Sequence, residues 1–136
     1  MRERSMGRLF HVFLSQQERR DCGGSAFVEL QFCKLPAGTG TDELVAVDSI
    51  KPWLDDSLYI DDENEFYREY HRIFACGVYA DLKCGEMDLY GINYYAPSLI
   101  DPLIETLRKE KPKDYELLTV WLNCAKSYNG FYLLGL

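Results

Sequence analysis

Phe131-Tyr-Leu-Leu-Gly-Leu136 is the stretch on which the fold turns. It is apolar without alternation, which reads as a strand buried on both faces and hence as a central strand of a sheet. Asn129-Gly130 before it is a helix stop. Working back, Lys111-Pro112 separates two helices. The first opens at Pro97-Ser98, holds Pro102 in its first turn, and carries Leu99, Ile100, Leu103, Ile104 and Leu107 as an apolar stripe. The second starts near Asp114 as a cap and turns Leu118, Trp121, Leu122 and Ala125 inward.

Further upstream, Val78–Lys83 and Asp88–Tyr95 flank Cys84-Gly85-Glu86-Met87 and read as a hairpin. Asp62-x-x-Glu65 is a capping-box start for a helix with Phe66, Tyr70, Ile73 and Phe74 on one face, which Gly77 is expected to stop. The first third reads as strands. Leu9–Leu14 is continuously apolar, and Phe27–Lys34 alternates Val28, Leu30 and Phe32 with Glu29, Gln31 and Lys34, so one of its faces is expected to be wet. These two segments are expected to pair as a hairpin across the polar loop Gln16–Gly24, with short strands at Leu44–Val47 and Leu58–Ile60. The expectation is a single α+β domain over 1–136, a mainly antiparallel sheet with about three helices on one face.

Composition then narrows the function classes. With 47% apolar and 14% aromatic residues in 136, a core can form without disulfides or metal. A net charge of −7 and a pI near 4.8 exclude a phosphate-gripping surface, so no nucleic-acid partner is expected, and the same balance disfavours anionic membranes. The run at Leu9–Leu14 is too short for a signal peptide. Five cysteines (Cys22, Cys33, Cys76, Cys84, Cys124), odd in number and without a CxxC pair, fit a reduced compartment. The expected location is cytoplasmic.

The acid is local. From Asp42 to Glu69 there are ten carboxylates (Asp42, Glu43, Asp48, Asp55, Asp56, Asp61, Asp62, Glu63, Glu65, Glu69) against Lys51 and Arg68, a net −8 for a window of a chain whose total is −7. Such a concentration steers a positively charged partner toward one region. A calcium loop is not the reading, because starting at Asp55 or Asp56 puts Ile60 or Asp61 where an EF-hand needs Gly. His71, Cys76 and Cys84 are spaced H-x4-C-x7-C, which matches no zinc pattern, so no metal or cofactor is expected. A Cys–His nucleophilic pair built from these residues is the enzymatic alternative. Ten tyrosines add half-buried sheet residues, some of which can serve as contact rings.

Acidic composition without catalytic motifs, together with Gly91-Ile-Asn-Tyr-Tyr-Ala-Pro97, Lys111-Pro-Lys-Asp-Tyr115 and Tyr128–Leu136, resembles the small acidic immunity proteins that bacteria encode beside polymorphic or contact-dependent toxins. The resemblance implies a cytosolic, non-catalytic inhibitor whose partner is a basic protein such as a toxin domain, acting as monomer or homodimer. It is one of class and carries no residue over. The residues expected to form the binding surface come from the acidic window: Trp53 and Tyr59 as aromatic anchors, flanked by Asp55, Asp56, Asp61, Asp62 and Glu63. The remaining alternative is a structural subunit whose acidic face keeps it soluble.

Overall fold

A strand that hides both faces needs a neighbour on each edge, and the C-terminal run has two. The computed structural model describes residues 9–12, 28–51 and 54–135. Within them, β1 (Val28–Phe32), β2 (Leu58–Ile60), β3 (Gly77–Val78), β4 (Cys84–Gly85), β5 (Ile92–Tyr95) and β6 (Phe131–Gly135) form one antiparallel sheet in the order β2-β1-β6-β5-β3-β4. β6 pairs β1 from Phe32↔Phe131 to Val28↔Gly135, and β5 from Tyr95↔Phe131 to Ile92↔Leu134. Gly130 turns the chain into this strand at φ +85°, where an added Cβ would run into the Tyr95 carbonyl.

Among the described residues four helices complete the α+β fold: α1 (Thr41–Leu44), α2 (Glu63–Tyr70), α3 (Ile100–Glu110) and α4 (Tyr115–Ala125). The last three cover one sheet face. Val28, Leu30, Phe32, Tyr95, Phe131 and Leu133 meet Phe66, Tyr70, Phe74, Ile104, Leu107, Leu118 and Leu122 there. Phe32 lies parallel to Trp121 at 4.3 Å and to Tyr128 at 4.6 Å, so aromatic area ties β1 to the end of α4. The Asp62 carboxylate accepts from the Glu65 amide at 3.0 Å and caps α2, as its spacing implies. Lys111, with φ +49°, closes α3 ahead of Pro112.

Several expectations are corrected. The polar face of β1 is not wet: Glu29 is 0% and Gln31 3% exposed, because α1 and the 3-10 turn Val47–Ser49 lie over it. Leu44 and Val45 pack there with Cys33, Tyr94, Tyr132 and Leu134. Two adjacent inward residues suit a helical turn at 100° per residue better than a strand, which explains why Leu44–Val47 is not extended. The 9–12 segment does not pair with β1, whose edges are both taken; His11 bridges Tyr59 on the far side of β2 instead. The remainder of that expected strand and the loop Gln16–Gly24 lie outside the described residues.

Gly77 does not stop α2, which ends at Tyr70, leaving Ile73 and Phe74 to reach the core from the following turn. It is a strand residue over which Tyr95 passes so closely that a Cβ would meet the ring at 2.9 Å. Cys84-Gly85 is not a hairpin turn either. It is the edge strand β4, and the turn falls at 79–83, where the Asp81 carboxylate accepts from the Lys83 amide at 3.0 Å.

Four buried tyrosines set the alkaline limit of this fold. Burial pushes the Tyr94 phenol up to about 12 and those of Tyr70, Tyr95 and Tyr132 higher still. In the unfolded chain each ionises near 10. A group whose folded pKa is raised contributes stability that is complete below the unfolded value and disappears as pH climbs toward the folded one. Stability should therefore be unaffected by these groups below about pH 10 and fall steeply above it. Thermal melts combined with tyrosinate absorbance would test this, the two changes being expected to coincide.

Candidate functional site

The acidic window follows the β2 edge of the sheet and divides by element. Asp42 and Glu43 sit on α1 and Asp48 in the 3-10 turn, over one face; Glu63, Glu65 and Glu69 sit on α2, over the other. Asp55 and Asp56 lead into β2, and Asp61 and Asp62 leave it. Strand rise places Asp56 and Asp61 about 16 Å apart, at opposite ends of the edge. The expected patch is thus a band wrapped around a sheet edge rather than one flat surface.

Part of the band is consumed internally. Asp56 Oδ2 holds Lys34 Nζ at 2.7 Å, and Glu65 Oε2 holds Lys113 Nζ at 2.8 Å. Hydrogen bonding to these carboxylates is the main reason both ammonium groups are held above their ordinary values, against the opposing effect of lost hydration. Glu69 accepts the Lys113 amide at 2.9 Å, so two acids of α2 fasten the α3–α4 connection. His11 Nε2 lies 3.2 Å from Asp61 Oδ1. Among the described residues, Asp42, Glu43, Asp48, Asp55, Asp62 and Glu63 form no ion pair, and all but the half-buried Glu63 are exposed.

What fixes the edge is a buried acid that sequence reading placed in water. Glu29 Oε2 accepts from Ser57 Oγ at 2.6 Å, from Gln31 Nε2 at 3.1 Å and from the Leu54 amide at 3.2 Å, with the Tyr59 hydroxyl at 3.5 Å. Gln31 Nε2 also reaches the Lys51 carbonyl at 2.8 Å. The Trp121 indole donates to the Asp56 carbonyl at 3.0 Å from the opposite layer. Asp55 and Asp56 are therefore presented by a backbone held from both sides. Alternation alone distinguishes a polar residue from an apolar one, not a wet polar residue from a hydrogen-bonded one, and Ser57 and Leu54 carry no signal that they converge on Glu29.

Tyr59 is not a surface anchor. It is 2% exposed, donates to the Leu54 carbonyl, and stands opposite Glu29 in the β1–β2 register. Its expected role as an anchor rested on the acids that flank it in sequence, but the β1–β2 pairing turns its ring toward Glu29 and the Leu54 carbonyl. Trp53 lies outside the described residues. An open cleft of about 260 Å³ borders the edge between Gln31, Leu54 and Tyr132; Lys34 and Lys51 line it, so it adds nothing to the acidic surface.

The enzymatic constellation does not come together around His71. Its Nδ1 is 2.8 Å from the Tyr67 carbonyl and its ring stacks on Tyr67 at 4.7 Å. Cys76, Cys84 and Cys124 are exposed, and Cys33 is buried with its thiol toward the Tyr132 hydroxyl at 3.4 Å. Among the described residues no three His, Cys, Asp or Glu side chains are grouped to hold a metal ion. No described helix is long and apolar enough to cross a membrane.

Replacing Glu29 tests the clamp. Glu29→Ala takes the acceptor from Ser57 and the Leu54 amide, while Gln31 keeps the Lys51 carbonyl, so a loss of about 2–4 kcal/mol is expected in urea denaturation, with Glu29→Gln losing less. Hydrogen exchange should show the Leu54 amide deprotected well before Leu133, because the edge opens while β6 stays shut.

Comparisons with known proteins give no relative to lean on: no family model matches this chain, nor does any curated protein or solved structure.

Proposed function

We propose that this chain is a non-catalytic binding protein of the immunity type, which neutralises a basic partner, such as a toxin domain, by laying the carboxylates of its β2 edge over that partner's cationic working surface. One observation carries the reading. Asp42, Glu43, Asp48, Asp55, Asp62 and Glu63 form no ion pair among the described residues, while Asp56, Asp61 and Glu65 pair with basic side chains and Glu69 accepts a backbone amide. Unpaired like charges held close together destabilise a free protein by mutual repulsion, so their retention on a clamped edge is explained by a partner that supplies the opposite charge. Asp55 and Asp62 are the unpaired contact residues of this reading, joined by the exposed Asp61, which His11 approaches at 3.2 Å from one side; Asp56 contributes through its grip on Lys34, and Glu63 from the first turn of α2. Charge of this kind mainly accelerates encounter and selects the partner.

The test is kinetic. The basic protein that co-purifies with the chain from its host is measured by biolayer interferometry against the parent and an Asp55→Asn, Asp61→Asn, Asp62→Asn variant. The variant should fold normally, because these positions are exposed, and should associate about tenfold more slowly at low salt. The difference should shrink as screening increases. Equal association rates at low salt would remove the edge from the interface.

A further inference from the structure

Away from the β2 edge, two large apolar side chains stand in solvent on turns with little freedom to move. Leu82 is 53% and Tyr90 82% exposed. The Val78↔Tyr94 register carries β3 forward into 79–83 as β5 runs back toward 91, so both residues lie at one end of the sheet. Each turn is fastened from within. Tyr79 N donates to the Lys83 carbonyl at 2.7 Å, Leu82 N to the Tyr79 carbonyl at 2.9 Å, and Lys83 N to Asp81 Oδ1 at 3.0 Å. In the other turn Tyr90 N donates to Asp88 Oδ1 at 2.9 Å, while the buried Asn93 clasps the Asp88 backbone, its Oδ1 accepting from Asp88 N at 2.9 Å and its Nδ2 donating to the Asp88 carbonyl at 2.7 Å.

Leu82 also holds a conformation that a side chain resists, with φ +71°. Among the described residues the other two non-glycine positions with positive φ, Lys111 and Asp114, close α3 and open α4; Leu82 does neither. The surroundings are acidic. Lost hydration and then the charges of Asp88, Glu86, Cys84 and Asp81 raise the Tyr79 phenol, and the carboxylates among them come from the β3–β4 turn and from the segment after β4. All three are exposed and form no ion pair among the described residues.

We propose that the β3–β4 turn and the turn entering β5 form a second docking surface, with Leu82 and Tyr90 as anchors and a basic protein surface bearing aliphatic side chains as its occupant. A rigid tyrosine ring takes an arginine or lysine over its face while nearby carboxylates satisfy the charge. Preorganised turns lose little freedom when the partner arrives. The same acidic rim opposes a second copy of this chain, which would bring like charges together.

A dodecapeptide of alternating Arg and Leu, with its Glu–Leu counterpart as control, is titrated into 15N-labelled protein. Saturable shifts centred on residues 79–91 are expected with the basic peptide alone, and they should persist in the Asp55→Asn, Asp61→Asn, Asp62→Asn variant, which separates this surface from the β2 edge. Tyr90→Ser and Leu82→Gly should each weaken binding by about tenfold or more. Leu82→Gly should at the same time raise Tm by about 2–4 °C, since glycine accepts the positive φ. Unchanged affinity in both variants, shifts centred on 42–63, a lowered Tm for Leu82→Gly, or a dimer in sedimentation would each overturn the proposal.

Discussion

The closure of the second sheet face by Glu29 is the constraint on which the remaining surface depends. A carboxyl group with no solvent exposure is tolerated in a core only if donors surround it. Here Ser57, Gln31 and the Leu54 amide supply them, and in doing so draw the chain entering β2 onto the sheet. The Tyr132 hydroxyl donates to the Leu44 carbonyl at 2.6 Å and draws down α1 on the same side. A small sheet with helices on one face would ordinarily leave its other face to water or to a partner. In this chain a small apolar cluster around Leu44 and Val45 and the hydrogen bonds of Glu29 and Tyr132 close it together.

With both faces occupied, the proposed recognition falls to the rims. The β2 side carries the acidic band, and the end bearing the β3–β4 turn carries Leu82 and Tyr90. Both are built from short connections fixed by their own hydrogen bonds, while the long helices α3 and α4 spend their apolar stripes on the core. The fold separates the two tasks: the helices and β6 supply cohesion, and the turns supply contact chemistry. That division makes charge removal at the rims tolerable to folding, because exposed ionic groups contribute little to stability.

The sequence made the architecture legible where a pattern was long and had one meaning. The uninterrupted run at Phe131–Gly135, the stripe from Ile100 to Leu107, and the Asp62–Glu65 cap each admit a single structural answer, and each is realised. Short segments failed for a common reason. Leu44–Val47, Gly77 and Cys84-Gly85 are one to four residues long, and their conformation is set by what packs on them: the underside of β6, the Tyr95 ring, and the β3 edge. At the site, the acidic band was visible as composition, but its partition between free and internally paired acids was not. Whether Asp56 meets Lys34, or Glu65 meets Lys113, depends on chain reversals that no local spacing encodes.

That partition also bears on what kind of partner the surface can serve. Had all ten carboxylates been free, diffuse attraction to any cation would be the simplest account, and solubility its most economical purpose. The acids engaged internally each join two parts of the chain: Asp56 meets Lys34 just past β1, Asp61 meets His11, and Glu65 and Glu69 of α2 meet Lys113 between α3 and α4. The free ones project from α1, from the approach to β2 and from the start of α2, which are positions set by the Glu29 clamp and the helix cap. Charges fixed in relative position discriminate between cationic surfaces by geometry, whereas charges on a mobile tail register only net charge. A clamped edge with selective neutralisation therefore argues for one shaped basic partner over general electrostatic solvation, and it does so through the one buried acid that holds the edge still.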